Sequence, residues 1–301
     1  TSAPSAPAAP GSYNDNVAAL LDPSSTAPTT NDTTPGANIG SVPTGTTPSL
    51  YVDGVKVPAT YDPATGTLTP TSPLAEGPHA LSYSLSDAAG NESPRSPALN
   101  VTVDTTAPGS NPNGTPGSVP APVVAIAEAA NGVSAAEAAD GVQTQVTLPT
   151  GTVAGDVITL TVKDPSGDER TVTHTVLASE ASSGSAPVTL PTSAISEDGA
   201  YTVTATVTDK AGNTSPASTG VGFALDTQAP NAPVITNAED NVAAVTGTVA
   251  NNGSTNDTTP TFSGTAEAGS TVTLYNGATV LGTTTADGSG NWTFISPTLA
   301  E

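Results

Sequence analysis

The chain has 301 residues, of which 27 are Asp or Glu and only five are Lys or Arg, for a formal net charge of −22. Such a surface repels nucleic acid and anionic membranes and attracts cations. There is no Cys and no Met, which excludes disulfide frameworks and thiolate chemistry, and no apolar run approaches the roughly 20 residues of a membrane span.

In chain order, residues 1–11 (TSAPSAPAAPG) read as a flexible lead. From Ser12 the periodicity is two rather than 3.6. Leu81, Tyr83 and Leu85 alternate with Ser82 and Ser84, and Leu99, Val101 and Val103 alternate with Asn100 and Thr102. Residues 108–122 (PGSNPNGTPGSVPAP) predict a linker. Only residues 127–139 (AEAANGVSAAEAA) have a helix-like composition, and Gly132 with Val133 interrupts it. Tyr201, Val203, Ala205 and Val207 then alternate with Thr202, Thr204 and Thr206. Each alternating run predicts a strand with one buried and one wet face. Asp-Gly, Asn-Gly and Pro-Ala-Thr-Gly signals separate the runs. Many short strands between frequent turns predict an all-β chain of antiparallel β-sandwiches.

Internal repeats fix the organisation. Ser86-Asp87-Ala88-Ala89-Gly90-Asn91 recurs as Thr208-Asp209-Lys210-Ala211-Gly212-Asn213, and Val103-Asp104-Thr105-Thr106-Ala107-Pro108 as Leu225-Asp226-Thr227-Gln228-Ala229-Pro230. Asp87 to Asp104 and Asp209 to Asp226 are both 17 positions. A second correspondence links the start of the chain to its last part. Asp15-Asn16-Val17 matches Asp240-Asn241-Val242, and Asn31-Asp32-Thr33-Thr34-Pro35 matches Asn256-Asp257-Thr258-Thr259-Pro260. The frame predicts three units, at 12–107, 123–230 and 231–301. The middle unit is a sister subtype, and the third stops before its last two strands, the counterparts of residues 79–87 and 99–104.

These motifs resemble the bacterial immunoglobulin-like repeats of large surface adhesins and biofilm-associated proteins secreted by type I systems. The resemblance rests on the D-x-A-G-N turn, the D-T-x-A-P segment after it, and the D-N-V…N-D-T-T-P-T-F-S-G-T-A-E-A-G-S-T-V opening of the last unit. In the middle unit Asn131-Gly132-Val133-Ser134-Ala135-Ala136-Glu137 replaces the Asn-Asp-Thr-Thr-Pro signature. The resemblance implies tandem immunoglobulin-like sandwiches, an extracellular or cell-surface location, and a spacer role in cell adhesion or biofilm formation. It also implies Ca2+ at the domain junctions, with neighbouring repeats of the same chain as partners.

Hard Ca2+ takes six to eight oxygen ligands. One junction would gather Asp209, Asp226, Asp240 and Asp257, and the earlier one Asp87, Asp104 and either Glu128 or Glu137. Asp15 and Asp32 would cap the first unit on the side away from the second. Carboxylates gathered in this way repel one another unless a cation lies between them. The competing reading is that each Asp is a turn residue or backbone cap. Asp164-Pro165-Ser166-Gly167-Asp168-Glu169 and Asp287-Gly288-Ser289-Gly290-Asn291 read as hairpin turns, because neither completes an EF-hand.

Catalysis has little support, and the chain is read as not an enzyme. His79 lies eight positions before Asp87, where Tyr201 lies eight before Asp209, so it fills a structural slot. His174 is a strand residue, and no Gly-x-Ser-x-Gly elbow accompanies either histidine. Two alternative functions stay open: one repeat is itself an adhesive module for a host or surface glycan or protein, or the chain is an accessory module of a secreted hydrolase.

Overall fold

A computed structural model describes residues 2–17, 21–110, 120–130 and 132–299. The expected linker at 108–122 falls largely outside them. The chain divides into two compact units, Thr1–Thr227 and Gln228–Glu301. The first unit holds two sandwiches.

The first sandwich comprises β1 (Ser12–Asp15), β2 (Asp22–Ser25), β3 (Thr29–Thr30), β4 (Gly36–Asn38), β5 (Thr47–Val52), β6 (Val55–Val57), β7 (Ala59–Asp62), β8 (Thr67–Pro70), β9 (Gly77–Ser86) and β10 (Leu99–Val103). One sheet has the order β2-β1-β4-β8-β7 and the other β3-β10-β9-β5-β6. All pairs are antiparallel except β3 with β10. The period-two pattern aims Tyr13, Ala37, Leu50, Leu68, Leu81, Tyr83 and Val101 into one core. Thr67 is buried and donates to Asn38 Oδ1. Its neighbour Leu68, 1% exposed, does the packing.

The second sandwich repeats the plan with β11 (Val123–Ile126), β12 (Val133–Ser134), β13 (Val142–Thr147), β14 (Val157–Lys163), β15 (Glu169–Thr175), β16 (Ser185–Leu190), β17 (Gly199–Thr208) and β18 (Val221–Asp226). Its sheets are β11-β13-β16 and β12-β18-β17-β14-β15. The helix-like stretch yields a 3-10 turn at Ala127–Ala130 and one helical turn, α1 (Ala135–Ala138). A second short helix, α2 (Ala178–Ser183), carries no sequence periodicity that would predict it. The 164–169 string is the β14–β15 turn, where Asp164 Oδ1 accepts from Ser166 Oγ and the Asp168 amide.

The second unit, considered alone, has β19 (Val234–Asp240), β20 (Gly247–Thr248), β21 (Thr261–Thr265), β22 (Thr271–Asn276), β23 (Thr279–Thr285) and β24 (Asn291–Ile295). It forms a four-stranded sheet, β20-β19-β21-β24, and the pair β22-β23. One core position shows how the frame absorbs sequence change. Tyr13 lies opposite Ala37 in the first sandwich, and Ala238 lies opposite Phe262 here. Large and small residues exchange strands across the same pair, which keeps the filled volume similar.

The slot shared by His79 and Tyr201 is a corner latch. The Tyr201 hydroxyl donates to Glu197 O at 2.8 Å and accepts from Glu197 N at 3.0 Å, and its ring stacks on Phe223 with centroids 5.1 Å apart. Such a tyrosine near the start of this strand is a mark of immunoglobulin-like sandwiches. His79 reaches the carbonyl of Ala75, also four residues upstream, through Nε2 at 2.7 Å, while Nδ1 meets Asp53 Oδ2 at 2.8 Å. Burial opposes the imidazolium, but the two acceptors, Ala75 O and Asp53, outweigh it and raise its pKa above 6.5.

Two outcomes are expected. Tyr201→Phe removes both backbone bonds and should cost about 1–3 kcal/mol in urea unfolding. The His79 contribution is fully present below the unfolded pKa and is lost as pH rises through the raised folded value. Stability of the first sandwich should therefore fall with rising pH above about 6.5 in the wild type. In His79→Gln that fall should be absent, as read from urea midpoints across the pH range.

Candidate cation site at the junction of the first two sandwiches

Strand length decides where each acidic residue lies. β9 runs ten residues and β10 returns antiparallel, with Val103 opposite Gly77 and Leu99 opposite Leu81. Asp87 thus follows one end of β9, and Asp104 lies beside the other, a strand length of roughly 30 Å away. Asp209 and Asp226 are divided in the same way by β17 and β18, where Leu225 lies opposite Gly199. The expected pairings of Asp87 with Asp104, and of Asp209 with Asp226, are therefore corrected. A spacing of 17 is a walk out along a connection and back down a strand, and it ends at the opposite pole.

Another grouping forms instead. The pole of the first sandwich that carries Asp104 meets the 209–213 loop of the second. Asn213 Nδ2 donates to Asp104 O at 2.8 Å, and Asn31 N donates to Ala211 O at 3.2 Å. Gly109 N, just after the first sandwich, donates to Thr150 O at 2.7 Å. Asp15 and Asp32 belong to this pole. They face the second sandwich and do not cap the far side, because β3 runs parallel to β10 and brings Thr30 beside Asp104, whose amide donates to Thr30 O.

The Asp15–Asp32 loop is internally ordered. Thr30 Oγ1 donates to Asp15 Oδ2 at 2.7 Å and accepts from the Asp32 amide at 2.9 Å. Asp15 Oδ1 takes the Val17 amide, and Asp32 takes the Asn16 and Thr34 amides. Both aspartates are buried, at 3% and 1% exposure. In the second unit Thr255 joins Asp240 and Asp257 through the same bonds. The Thr259 amide, with burial opposing, holds the Asp257 carboxyl below its usual range.

Glu128 and Glu137 are elsewhere. Glu137 closes the capping box of α1 with Ser134, whose strand position is opposite Asp226, and Glu128 accepts from the Gln143 amide. They lie at the other pole of the second sandwich and serve the local backbone. Asp87 likewise takes the amides of Ala89 and Asn91 within its own turn.

The residue that sequence reasoning missed is Asp156. It is 1% exposed; Oδ2 accepts from Val153 N at 2.8 Å, and Oδ1 has no partner. Burial raises its pKa, and the charges of Asp209 and Asp104 add to the rise against the opposing Val153 amide and Lys210. The second orphan is Asn31 Oδ1, also buried without a partner. The repeat frame gives Asp156 a counterpart position but no acidic counterpart. Gly155-Asp156-Val157 before β14 corresponds to Gly269-Ser270-Thr271 before β22, and the flanking bonds match: Val176 N to Asp156 O, and Ala286 N to Ser270 O.

Among the described residues no three His, Asp or Glu side chains converge tightly enough to hold a metal by themselves. The junction offers oxygen donors instead: the orphaned Oδ1 of Asp156, on which the charges of Asp209 and Asp104 act, and the orphaned Oδ1 of Asn31, whose backbone amide meets Ala211 O. Hard oxygen donors without nitrogen or sulfur fit Ca2+, which accepts carboxylate, amide and water oxygens together. A separate outcome tests the Asp15–Asp32 loop. Thr30→Val leaves the buried Asp15 carboxylate short of a donor and the Asp32 amide without its acceptor, and should destabilise the first sandwich by about 1–3 kcal/mol in urea unfolding.

The profile of a family described as bacterial Ig-like domain matches residues 22–105, 118–227 and 231–301. No curated protein matches the sequence. Among solved structures, a tetra-tandem repeat in the extending region of a large adhesion protein is 22% identical, with 89% of this chain and 63% of that one covered and a TM-score of 0.28. The chain therefore spans less than two thirds of that structure. A 1.5-MDa bacterial ice-binding adhesin gives 21% identity, 88% and 78% coverage and a TM-score of 0.33. The fibronectin(III)-like modules of Clostridium thermocellum CbhA give 12%, 75% and 90%, and 0.37.

Proposed function

The chain belongs to the family of bacterial Ig-like domains, and from that premise we propose that it is a spacer segment of an extracellular adhesin whose sandwich-to-sandwich junctions are stiffened by Ca2+. The observation that carries this reading is the junction within the first unit. There two sandwiches are joined by direct backbone and side-chain bonds, with a buried, unpaired carboxylate oxygen on Asp156 beside the charges of Asp104 and Asp209. A spacer needs a defined angle between modules rather than a pocket, and the chemistry at the joint serves that need. Asn31 and Asp156 would supply ligand oxygens, with Asp104 and Asp209 completing the charge. The bound ion would neutralise carboxylates that otherwise repel and would stabilise the folded joint by mass action. Among the described residues no helix is long and apolar enough to cross a membrane.

The test is thermal unfolding of the whole chain in millimolar Ca2+ and in EDTA. Ca2+ should raise the melting temperature of the wild type. Asp156→Asn should unfold at a higher temperature than the wild type in EDTA, because it removes a buried unpaired charge, and its response to Ca2+ should be lost. Identical wild-type melts in Ca2+ and EDTA would rule out the cation, and a fully retained Ca2+ response in Asp156→Asn would remove Asp156 from the site.

A further inference from the structure

The basic residues of the first sandwich gather at one place on its outer surface. Lys56 and Arg95 are two of only five Lys or Arg in the chain, and the next after them is Lys163. Leu50 and Val52 of β5 face the core, so Tyr51 points outward, between Ser82 of β9 and Lys56 of β6. The loop after β9 turns back beside that strand. Glu92 bridges Ser86, and the amides of Ser93 and Ser96 donate to Leu85 O and Tyr83 O. Glu92 Oε1 accepts from the hydroxyls of Tyr51 and Ser84 and lies 3.8 Å from Lys56 Nζ. Arg95 lies over the Tyr51 ring, 4.7 Å from its centroid, and its Nη1 donates to Gly54 O at 3.0 Å.

The second sandwich shows that the fold does not need this cluster. There Thr161 lies opposite Thr204 and Thr171, where Tyr51 lies opposite Ser82 and Lys56. Thr214 bridges Thr208 as Glu92 bridges Ser86. Ala217 stands eight positions after Asp209, as Arg95 stands eight after Asp87. Neutral side chains thus serve the same frame. The charged set is ordered all the same. A ring face and a carbonyl fix the guanidinium, and the Ser84 and Tyr51 hydroxyls, with burial opposing, hold the Glu92 carboxyl below its usual range. Exposed ion pairs add little stability, so this order is preorganisation that a ligand can use.

We propose that this cluster on the first sandwich is a binding site for a carboxylate-bearing saccharide, a uronate or sialate unit of a surface glycan. The donors and acceptors present define the ligand. Arg95 is exposed and offers its N–H donors in a planar fork, of which the Gly54 bond takes one, so a carboxylate meets a prepared bidentate partner. Lys56, its side chain 55% exposed, adds a second cation. A bare anion would use only these two. Glu92 Oε2, on a carboxylate whose other oxygen is already engaged, adds an acceptor that selects a ligand with hydroxyl donors as well as a charge. An anionic sugar carries both. The acid excess elsewhere does not oppose it, because at physiological salt charges beyond about 8 Å are largely screened. Asp53, in the adjacent turn, is engaged by His79 and the Ala80 amide. None of the residues proposed to hold the junction cation takes part, so the inference does not depend on that reading.

The whole chain, isotope-labelled for amide NMR, is titrated with a hyaluronan tetrasaccharide and with 3′-sialyllactose, in Ca2+ and again in EDTA. At least one of these sugars should give saturable amide shifts at Tyr51, Lys56 and residues 92–95, alike in both buffers. The carboxyl-reduced tetrasaccharide and lactose should give none. Arg95→Ala and Lys56→Thr install the side chains that the second sandwich carries at the same positions, so both should keep the wild-type melting temperature. Each should weaken binding about tenfold, the loss expected for one hydrogen bond to a charged group. The proposal is overturned if neither acidic sugar shifts those amides, if a neutral counterpart binds equally, or if Arg95→Ala binds as the wild type does. Shifts that require Ca2+ would place the sugar on a bridging cation, and equal binding of a Glu-rich peptide would assign the site to a protein partner. Either result overturns it too.

Discussion

The out-and-back run of the two longest strands, β9 and β17, governs where this molecule places its chemistry. An antiparallel strand can carry a residue only toward one pole or the other, so a ten-residue strand separates its two flanking loops by the full height of the sandwich. Within one sandwich the loop after β9 and the segment after β10, like the loop after β17 and the segment after β18, can therefore never share a junction. Each can meet only a loop of a neighbouring sandwich. That is why Asn213 of the second sandwich reaches Asp104 of the first, and why the joint is built from unlike halves of one recurring frame.

The same frame handles an acid excess with almost no basic residues. Among the described residues Lys56 reaches Glu92 at 3.8 Å and Arg170 reaches Asp164 at 3.2 Å, while Arg95 lies over the Tyr51 ring, 4.7 Å from its centroid. Many loop carboxylates are held by backbone amides and by serine or threonine hydroxyls. The arrangement is local, since Asp62, Asp87, Asp164, Asp209 and Asp287 each take amides two or four residues ahead. Amide donors favour the charged form and cost no counter-ion. Asp156 departs from this rule with one amide and one empty oxygen, and that departure makes it chemically conspicuous.

Much of this was legible in the sequence because β periodicity and repeat register are local properties. Alternation in 201–207 revealed the buried face, and the 17-residue and Asn-Asp-Thr-Thr-Pro correspondences revealed the repeat; in 81–85 the expected wet face is absent, since Ser82 and Ser84 are buried too and Ser84 donates to Glu92. The His79–Tyr201 equivalence followed from register alone, and the structure adds its reason, a latch to the backbone four residues upstream. What register could not supply was direction. Equal spacing says that two aspartates recur together, but not whether a strand lies between them. The helix α2 was hidden for a related reason. Six residues are too few to show a 3.6-residue period, and the helix rests on Glu180, which takes the Leu177 amide and meets His174 at 2.8 Å.

Repetition also explains why the loops at the poles vary less than the interiors. The cores exchange residues freely, as the Tyr13–Ala37 and Ala238–Phe262 pairs show, because a sandwich interior asks only for filled volume on alternating positions. Loops at the poles are held to a stricter rule, since each must satisfy its own carboxylates and also present groups to a neighbour. Asp15-Thr30-Asp32 and Asp240-Thr255-Asp257 repeat bond for bond across two compact units whose core side chains differ. A geometry retained while the cores diverge points to a constraint on the loop, and the first unit shows such a loop at the surface where one sandwich meets the next.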